Sequence, residues 1–309
     1  MGWGQRGVAL ILVLWLVTLL SVVASAFALS VRRESVLLRT ARDRSEAQAL
    51  VDGALQYAWL RLRASESVGR WLSNAAVYEV VYGAGRVRLE LRDEAGKVNL
   101  NLVKEPMLNA FFTAAGLSSS EAAKLTDAVA DWRDSDELRR LNGAEAEDYR
   151  LAGREFGPRN RPFEAVEELR AVLGMSPELY QRVAPWLTVY SGQAGIDPRS
   201  APPELLLALP GVDAGMLDAL AEGKQDAGGL LANASGITFA KGNNAAVAMR
   251  AEARLENGSA TAVQAVLGRA GVGRPAYLFW REKMSSTEHE TSLFERQALE
   301  TVRLDGAPL

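Results

Sequence analysis

MGWGQRG, residues 1–7, runs without a break into VALILVLWLVTLLSVVASAFAL, residues 8–29, and the reading of that junction decides how the rest of the chain is organised. The second stretch has 22 residues and no charge. At a helical rise of about 1.5 Å per residue it is long enough to cross the roughly 30 Å hydrocarbon core of a bilayer. A secretory signal has a shorter apolar core. Ala24-Ser25-Ala26 offers a cleavage pattern for one, but the apolar run continues past it through Phe27, Ala28 and Leu29. From Arg32 onward charges appear, yet apolar residues keep helical spacing at Ala47, Leu50, Val51, Ala54, Leu55, Ala58, Trp59 and Leu62. No Gly or Pro intervenes between Val8 and Asp52, so a membrane helix over 8–29 is expected to continue as an amphipathic stalk over 30–72.

A leader ending in Gly, an apolar helix starting at the next residue and an amphipathic continuation together resemble the type IV pilins and the pseudopilins of type II secretion. The resemblance implies that a prepilin peptidase cuts between Gly7 and Val8, that Val8 is then N-methylated, and that the helix is retained as anchor and filament core. Most members carry a Glu at the fifth mature position, which here is Leu12. A carboxylate in a membrane helix is costly unless paired, so its loss suits a subunit that need not reach a neighbour above it. Within the family that loss is typical of the K minor pseudopilins, which are placed at the filament tip.

The chain has 309 residues, a formal net charge of -3 and no cysteine. After subtraction of the anchor this leaves one large or two medium units, and it excludes disulfides and thiolate metal sites. Acidic and basic residues are interspersed, so nothing demands a polyanionic partner. One charge pattern runs against the expected topology. Arg32, Arg33, Arg39, Arg42 and Arg44 follow the apolar run while only Arg6 precedes it, the reverse of a positive-inside count for a globular part outside the cytoplasm.

Val77 to Arg92 alternates β-formers with polar residues around Gly83-Ala84-Gly85 and predicts a hairpin. Ala246 to Glu256 and Ala260 to Gly268, parted by Asn257-Gly258 and followed by Pro275 to Glu282, predict a second set of strands. Between these sets, helices are expected at Lys104 to Ala115, Ser119 to Trp132, Pro162 to Leu173, Pro177 to Val189 and Pro202 to Leu209. Glycine-rich stretches at 192–195 and 223–236 mark joints. The fold class expected is α+β: a transmembrane and stalk helix, then a pilin-like antiparallel sheet (73–101 and 237–309) interrupted by an all-helical insertion (102–236).

Asp93 to Asn101 (DEAGKVNLN) couples a turn to a strand, and Asn99 and Asn101 can satisfy backbone groups where sheet meets helices. That stretch, with Asp131-Trp132-Arg133-Asp134-Ser135-Asp136, Gly143-Ala144-Glu145, Glu147-Asp148-Tyr149, Pro162-Phe163 and Gly174 to Tyr180, is similar to the K pseudopilin pattern over nearly the whole chain. Asp131, Asp134, Asp136, Glu145, Glu147 and Asp148 supply several carboxylates within about fifteen residues, as a calcium loop would. They are not an EF-hand, since Leu138 and Arg139 stand where a ligand and a Gly are required. From spacing alone a solvated loop neutralised by Arg133, Arg139 and Arg140 is favoured; the resemblance implies structural calcium, with its exact ligands open because Ala146 and Glu147 displace the Tyr.

Ile196 to Leu220 looks like a helix-hairpin-helix (SAM-like) segment, the basis of an alternative reading as a membrane-anchored, competence-type DNA-binding protein. Asp197, Glu204, Asp213 and Asp218 surround its turn with only Arg199 among them, so no nucleic acid is expected. His289 has no Cys beside it and no nucleophile elbow or Walker loop exists, so no enzymatic activity is expected.

The function expected is therefore structural: capping or initiating the pseudopilus tip that drives folded proteins across the outer membrane. The resemblance implies a single-pass inner-membrane protein with a periplasmic globular part. Its implied partners are the I, J and H minor pseudopilins, the major pseudopilin, the inner-membrane assembly platform and the prepilin peptidase. The stalk stripe of Ala47, Val51, Leu55 and Trp59 is the expected partner surface.

Overall fold

The structure is a computed structural model that describes residues 5–65, 69–83, 85–221, 238–242, 244–269, 276–284 and 292–304. Helix α1 spans Gln5–Leu62, 58 residues, and contains Gly7 and Val8, whereas Met1–Gly4 of the leader lie outside the described residues. Residues 10–29 are exposed throughout, and the helix is long and apolar enough to cross a membrane. It stops ten residues before the predicted end at 72 because the chain reverses: Arg63 and Ala64 close tight turns on Leu60 and Arg61, and the Trp71 N–H donates to the Arg61 carbonyl at 3.1 Å. Gly69, at φ +77°, supplies a left-handed step in that reversal.

Strands β1 (Asn74–Tyr82) and β2 (Gly85–Asp93) form the first hairpin. After a 3-10 turn at Glu94–Gly96, a two-residue strand β3 (Val98–Asn99) begins the insertion. Helices α2 (Glu105–Ala114), α3 (Ser119–Arg133), α4 (Ala146–Leu151) and α5 (Pro177–Val183) follow. Strand β4 (Leu187–Thr188) pairs in parallel with β3, and α6 (Pro203–Ala208) and α7 (Ala214–Ala221) complete the described part of the insertion. The chain then returns through β5 (Ala246–Leu255), β6 (Ala260–Arg269), β7 (Ala276–Lys283) and β8 (Glu300–Arg303). The main sheet has the order β7-β6-β5-β2-β1-β8.

The α+β architecture agrees with the sequence reading, with four local corrections. The insertion is not all helical, since β3 and β4 pair across it, and Val98 and Leu100 belong to its core rather than to the sheet. The sheet is antiparallel except at its last strand, where β8 lies parallel to β1. Pro162 to Leu173 forms only a 3-10 segment at Val166–Ala171, opened by Glu168 accepting the Glu164 and Ala165 N–H groups. Helix α5 ends at Val183 rather than running to Val189, because Pro185 tightens the chain into a 3-10 turn at Ala184–Trp186 before β4.

Asn257-Gly258 makes the β5–β6 turn, but as a three-residue loop. Gly258 alone has positive φ, +85°, and its N–H donates to the Leu255 carbonyl, so this is not the two-residue turn in which both residues are left-handed. Helix α3 starts where its sequence says it should: Ser118 and Glu121 form a reciprocal capping box.

Two cores result. One lies between α1 and the sheet, where Val51, Leu55, Ala58 and Trp59 meet Leu89, Leu91, Met249 and Ala251. The other fills the insertion around Phe111, Phe112, Leu125, Trp132 and Tyr149. Trp71 locks the first: it stacks on Tyr78 at 4.2 Å between ring centroids, meets Tyr57 edge-on at 5.6 Å, and donates from Nε1 to Glu300 of β8 at 2.9 Å.

Candidate functional site: the acidic loop of the insertion

The carboxylates singled out from spacing lie between the end of α3 and the start of α4, above an aromatic stack. Trp132 packs against Tyr149 at 5.8 Å and on Phe163 at 6.1 Å, and the Tyr149 hydroxyl accepts the Leu173 N–H at 3.1 Å. Tyr149 is fully buried, so the two residues before Asp148 lengthen the loop without displacing the ring from the core. Asn99 and Asn101 work as their motif predicts. Asn101 exchanges two hydrogen bonds with the backbone of Phe163, and Asn99 donates to Ser191 Oγ at 3.0 Å.

The six candidates separate into three groups. Asp131 is fully buried and Asp134 partly so; both accept from a single nitrogen, Nη1 of Arg140, at 2.7 Å for Asp131. Gly143 is required beside them, since a Cβ there would lie 1.9 Å from Asp131 Oδ2. Glu145 is 7% exposed, and neither of its carboxylate oxygens has a hydrogen-bond partner; Asp134 Oδ1 is orphaned as well. Burial, then the charges of Asp131, Asp134, Asp136 and Glu137, push the Glu145 carboxyl up to about 7. Asp136 caps the loop by accepting the Leu138 N–H at 2.9 Å.

Asp148 and Glu147 point elsewhere. Asp148 accepts the Glu145 N–H at 3.0 Å and pairs with Arg139 at 2.8 Å; those contacts, the backbone one first, hold its carboxyl below the ordinary range. Glu147, 62% exposed, pairs with Arg150 along its own helix. Arg133 does not neutralise the loop either. Its guanidinium donates to the carbonyls of Leu100 and Val103 and ties α3 to the start of the insertion. Among the described residues no three carboxylates are already arrayed as ligands, because Arg140 holds the space between two of them.

The expected partner stripe is corrected outright. Ala47, Val51, Leu55 and Trp59 are at most 6% exposed and form the chain's own core. Helical spacing located the apolar face correctly but could not say that the sheet of this same chain would cover all of it. The face left open runs through Ala49, Gly53, Gln56 and Leu60, the last 65% exposed. Beside it a 390 Å³ groove is lined by Leu50, Gly53 and Ala54 of the stalk and Val80, Tyr82 and Leu304 of the sheet.

The helix-hairpin-helix segment is formed by α6 and α7, with Gly211 at φ +82° in the turn. At the start of α7 the Met216 N–H is taken: it donates to Asp213 Oδ1 at 2.9 Å, capping the helix with a carboxylate. His289 and the 223–236 stretch lie outside the described residues.

Comparison with known proteins places these features. The family described as "Type II secretion system (T2SS), protein K" matches its first domain to residues 89–192, from β2 through the acidic loop to β4. The type II secretion system protein K of Klebsiella pneumoniae is 30% identical over 204 residues, 59% of this chain and 62% of that protein. Over residues 89–192 the chain is thus similar to the type II secretion system protein K family. The Pseudomonas aeruginosa member is 26% identical over 251 residues, covering 72% of this chain and 73% of its own length. The alignment thus spans about three fifths of the Klebsiella relative. In fold, the chain is similar to one in the crystal structure of the GspK-GspI-GspJ complex from enterotoxigenic Escherichia coli, with a TM-score of 0.55 and 18% identity over 82% of this chain and 99% of that one.

Proposed function

We propose that the chain is a structural minor pseudopilin that caps or initiates the pseudopilus tip, anchored once in the inner membrane with its globular part in the periplasm. The observation that carries this is the size and placement of the insertion. More than 140 residues between β2 and β5 project from a sheet packed on an anchored helix, which suits a filament end better than repeated stacking along a thin fibre. In this reading prepilin peptidase cuts at Gly7-Val8 and Val8 is N-methylated. Leu12 in place of the usual Glu frees the subunit from a neighbour above it.

The I and J minor pseudopilins are the proposed direct partners, with the H type, the major pseudopilin and the assembly platform reached through them. They would dock on the open stalk face at Ala49, Gly53, Gln56 and Leu60, where small residues allow close helix approach and the apolar groove continues the surface. Disulfide or photo-cross-linking from a probe at Leu60 in the full chain, co-expressed with I and J, tests this. Cross-links at Leu60 and none at Leu55 are expected; the opposite pattern would overturn it.

The acidic loop is proposed to hold structural calcium through Asp131, Asp134, Asp136 and Glu145. The two orphaned, buried oxygens of Glu145 support this choice, since an unpaired buried carboxylate is costly without a cation. Bound calcium would supply the positive charge that Glu145 lacks, with Arg140 giving up its hold on Asp131 and Asp134. Chelation should lower the melting temperature of the chain, and no change would overturn the assignment.

A further inference from the structure

The arginines just beyond the apolar run take no part in either core. Arg32, Arg33 and Arg39 are exposed on a continuous helix, and among the described residues none of them makes an ion pair or hydrogen bond. Several arginines farther along the chain are held by carboxylates: Arg61 by Glu300 at 2.8 Å, Arg88 by Glu79 at 2.6 Å and Arg199 by Asp197 at 2.8 Å. Between Val8 and Arg42 the only acidic residue is Glu34, against Arg32, Arg33, Arg39 and Arg42.

Distance along the helix says where these charges lie. Arg32 and Arg33 follow Leu29 by three and four residues, about 4.5 to 6 Å at the helical rise, within the headgroup layer that extends roughly 5 to 7 Å beyond the hydrocarbon. Arg39 lies on the same side as Arg32 but ten residues, about 15 Å, beyond Leu29. With its side chain leaning toward the N-terminus, here toward the bilayer, its charge stays outside the headgroup layer but within a Debye length of about 8 Å of it. A guanidinium offers a planar fork of donors that matches phosphate oxygens.

We propose that Arg32 and Arg33 bind the phosphates of anionic lipids in the leaflet on the side of the globular part, with Arg39 adding attraction from just outside the headgroup layer, and so fix the depth of the anchor. The proposal rests on α1 being a membrane anchor but not on the compartment it faces. It also accounts for the reversed charge pattern: the arginines are there for the lipid surface that they meet, not for topology.

The full chain is reconstituted in nanodiscs of mixed phosphatidylcholine and phosphatidylglycerol, and the lipids retained around it are measured by mass spectrometry. Each arginine should raise local binding of the anionic lipid about fivefold, and the enrichment should fade as salt is raised. The triple variant R32Q/R33Q/R39Q, at exposed positions outside both cores, should return to the bulk lipid ratio. Because the chain has no cysteine, a spin label on a Cys introduced at Leu37 reports depth independently. It should move closer to the headgroups when phosphatidylglycerol is present, in the parent but not in the variant. Retention in discs with no enrichment, or equal enrichment in the variant, overturns the proposal alone. Failure of the chain to enter discs at all overturns the anchor and the proposal together.

Discussion

Replacing Glu145 by Gln should have opposite effects with and without calcium, and the sign follows from the loop. In the calcium-free chain the Glu145 carboxyl is pushed up to about 7 from 4.5 by burial and by four neighbouring carboxylates. A carboxyl whose folded pKa lies above its unfolded value binds protons more tightly in the folded state. The contribution of this group to stability is therefore greatest below pH 4.5 and is lost as pH rises through 7. A tenfold difference in proton affinity between the folded and unfolded chain corresponds to about 1.4 kcal/mol, so by pH 8 the ionised side chain costs the calcium-free fold up to about 3 kcal/mol. Gln keeps the shape and cannot ionise. In chelator E145Q should melt higher than the parent at pH 8, by about 5 to 10 °C for a domain of this size, and with the parent at pH 4 to 5. In calcium the order should reverse at pH 8, because only the parent can bring the fourth carboxylate to the ion. Thermal denaturation of the full chain in detergent under those three conditions decides the matter. If E145Q is destabilising in chelator at pH 8, Glu145 already has a partner and the account of the loop fails.

Other consequences are simpler to read. Mass spectrometry of membrane-extracted protein should find an N-terminus at Val8, methylated, and Gly7→Asp should leave the leader attached; an N-terminus at Phe27 would mean a removed signal instead. Trp71→Ala removes a buried ring, its stack on Tyr78 and its bond to Glu300, and should cost about 3 to 5 kcal/mol in denaturant unfolding. Leu55→Arg should fail to accumulate as folded protein, whereas Leu60→Arg should fold normally and lose co-purification with partner subunits. The reverse outcome would return the partner surface to the buried stripe. Tyr149→Phe leaves the Leu173 N–H without its acceptor and should cost about 1 to 3 kcal/mol, read by the same unfolding assay.

The parts of this fold that could be read from sequence are those whose signals are local. The capping box at Ser118 and Glu121 and the turn in which Asn99 Oδ1 accepts the Asn101 N–H act within a few residues of themselves, and each does what its chemistry suggests. What could not be read depends on distant partners. Ala47, Val51, Leu55 and Trp59 form an apolar stripe whatever covers them; their burial is decided by strands some 30 to 220 residues away. Leu187-Thr188 carries no strand pattern long enough to notice, and becomes one only because Val98-Asn99 lies alongside. Within the acidic loop, spacing gave every carboxylate the same weight. The separation of Glu147 from Glu145 comes from the start of α4, which turns Glu147 to solvent, buries Tyr149 and leaves Glu145 at the N-cap.

The joint between sheet and insertion shows how the insertion is held to the sheet at more than one point. The chain leaves the sheet at Asp93 and returns near Asn244, and both passages are tied to the same two buried carboxylates. Asp93 accepts the Ala95 and Asn244 N–H groups at 2.9 and 3.1 Å, while Asp197 accepts that of Gly242 at 2.6 Å and is gripped by Arg199 at 2.8 Å. The Asp197 N–H returns a bond to the Ala95 carbonyl at 2.7 Å. Gly242 is obligatory here, since a Cβ would come within 2.6 and 2.8 Å of the two carboxylates. Beyond this knot, Ala248 and Val266 on the outer sheet face meet Tyr190 of the insertion, so a second contact opposes rotation about the first. Two separated attachments define an orientation where one would define only a pivot. Trp71 ties α1 to the sheet through Tyr57, Tyr78 and Glu300, and the two attachments tie the sheet to the insertion, so helix, sheet and insertion are linked in series.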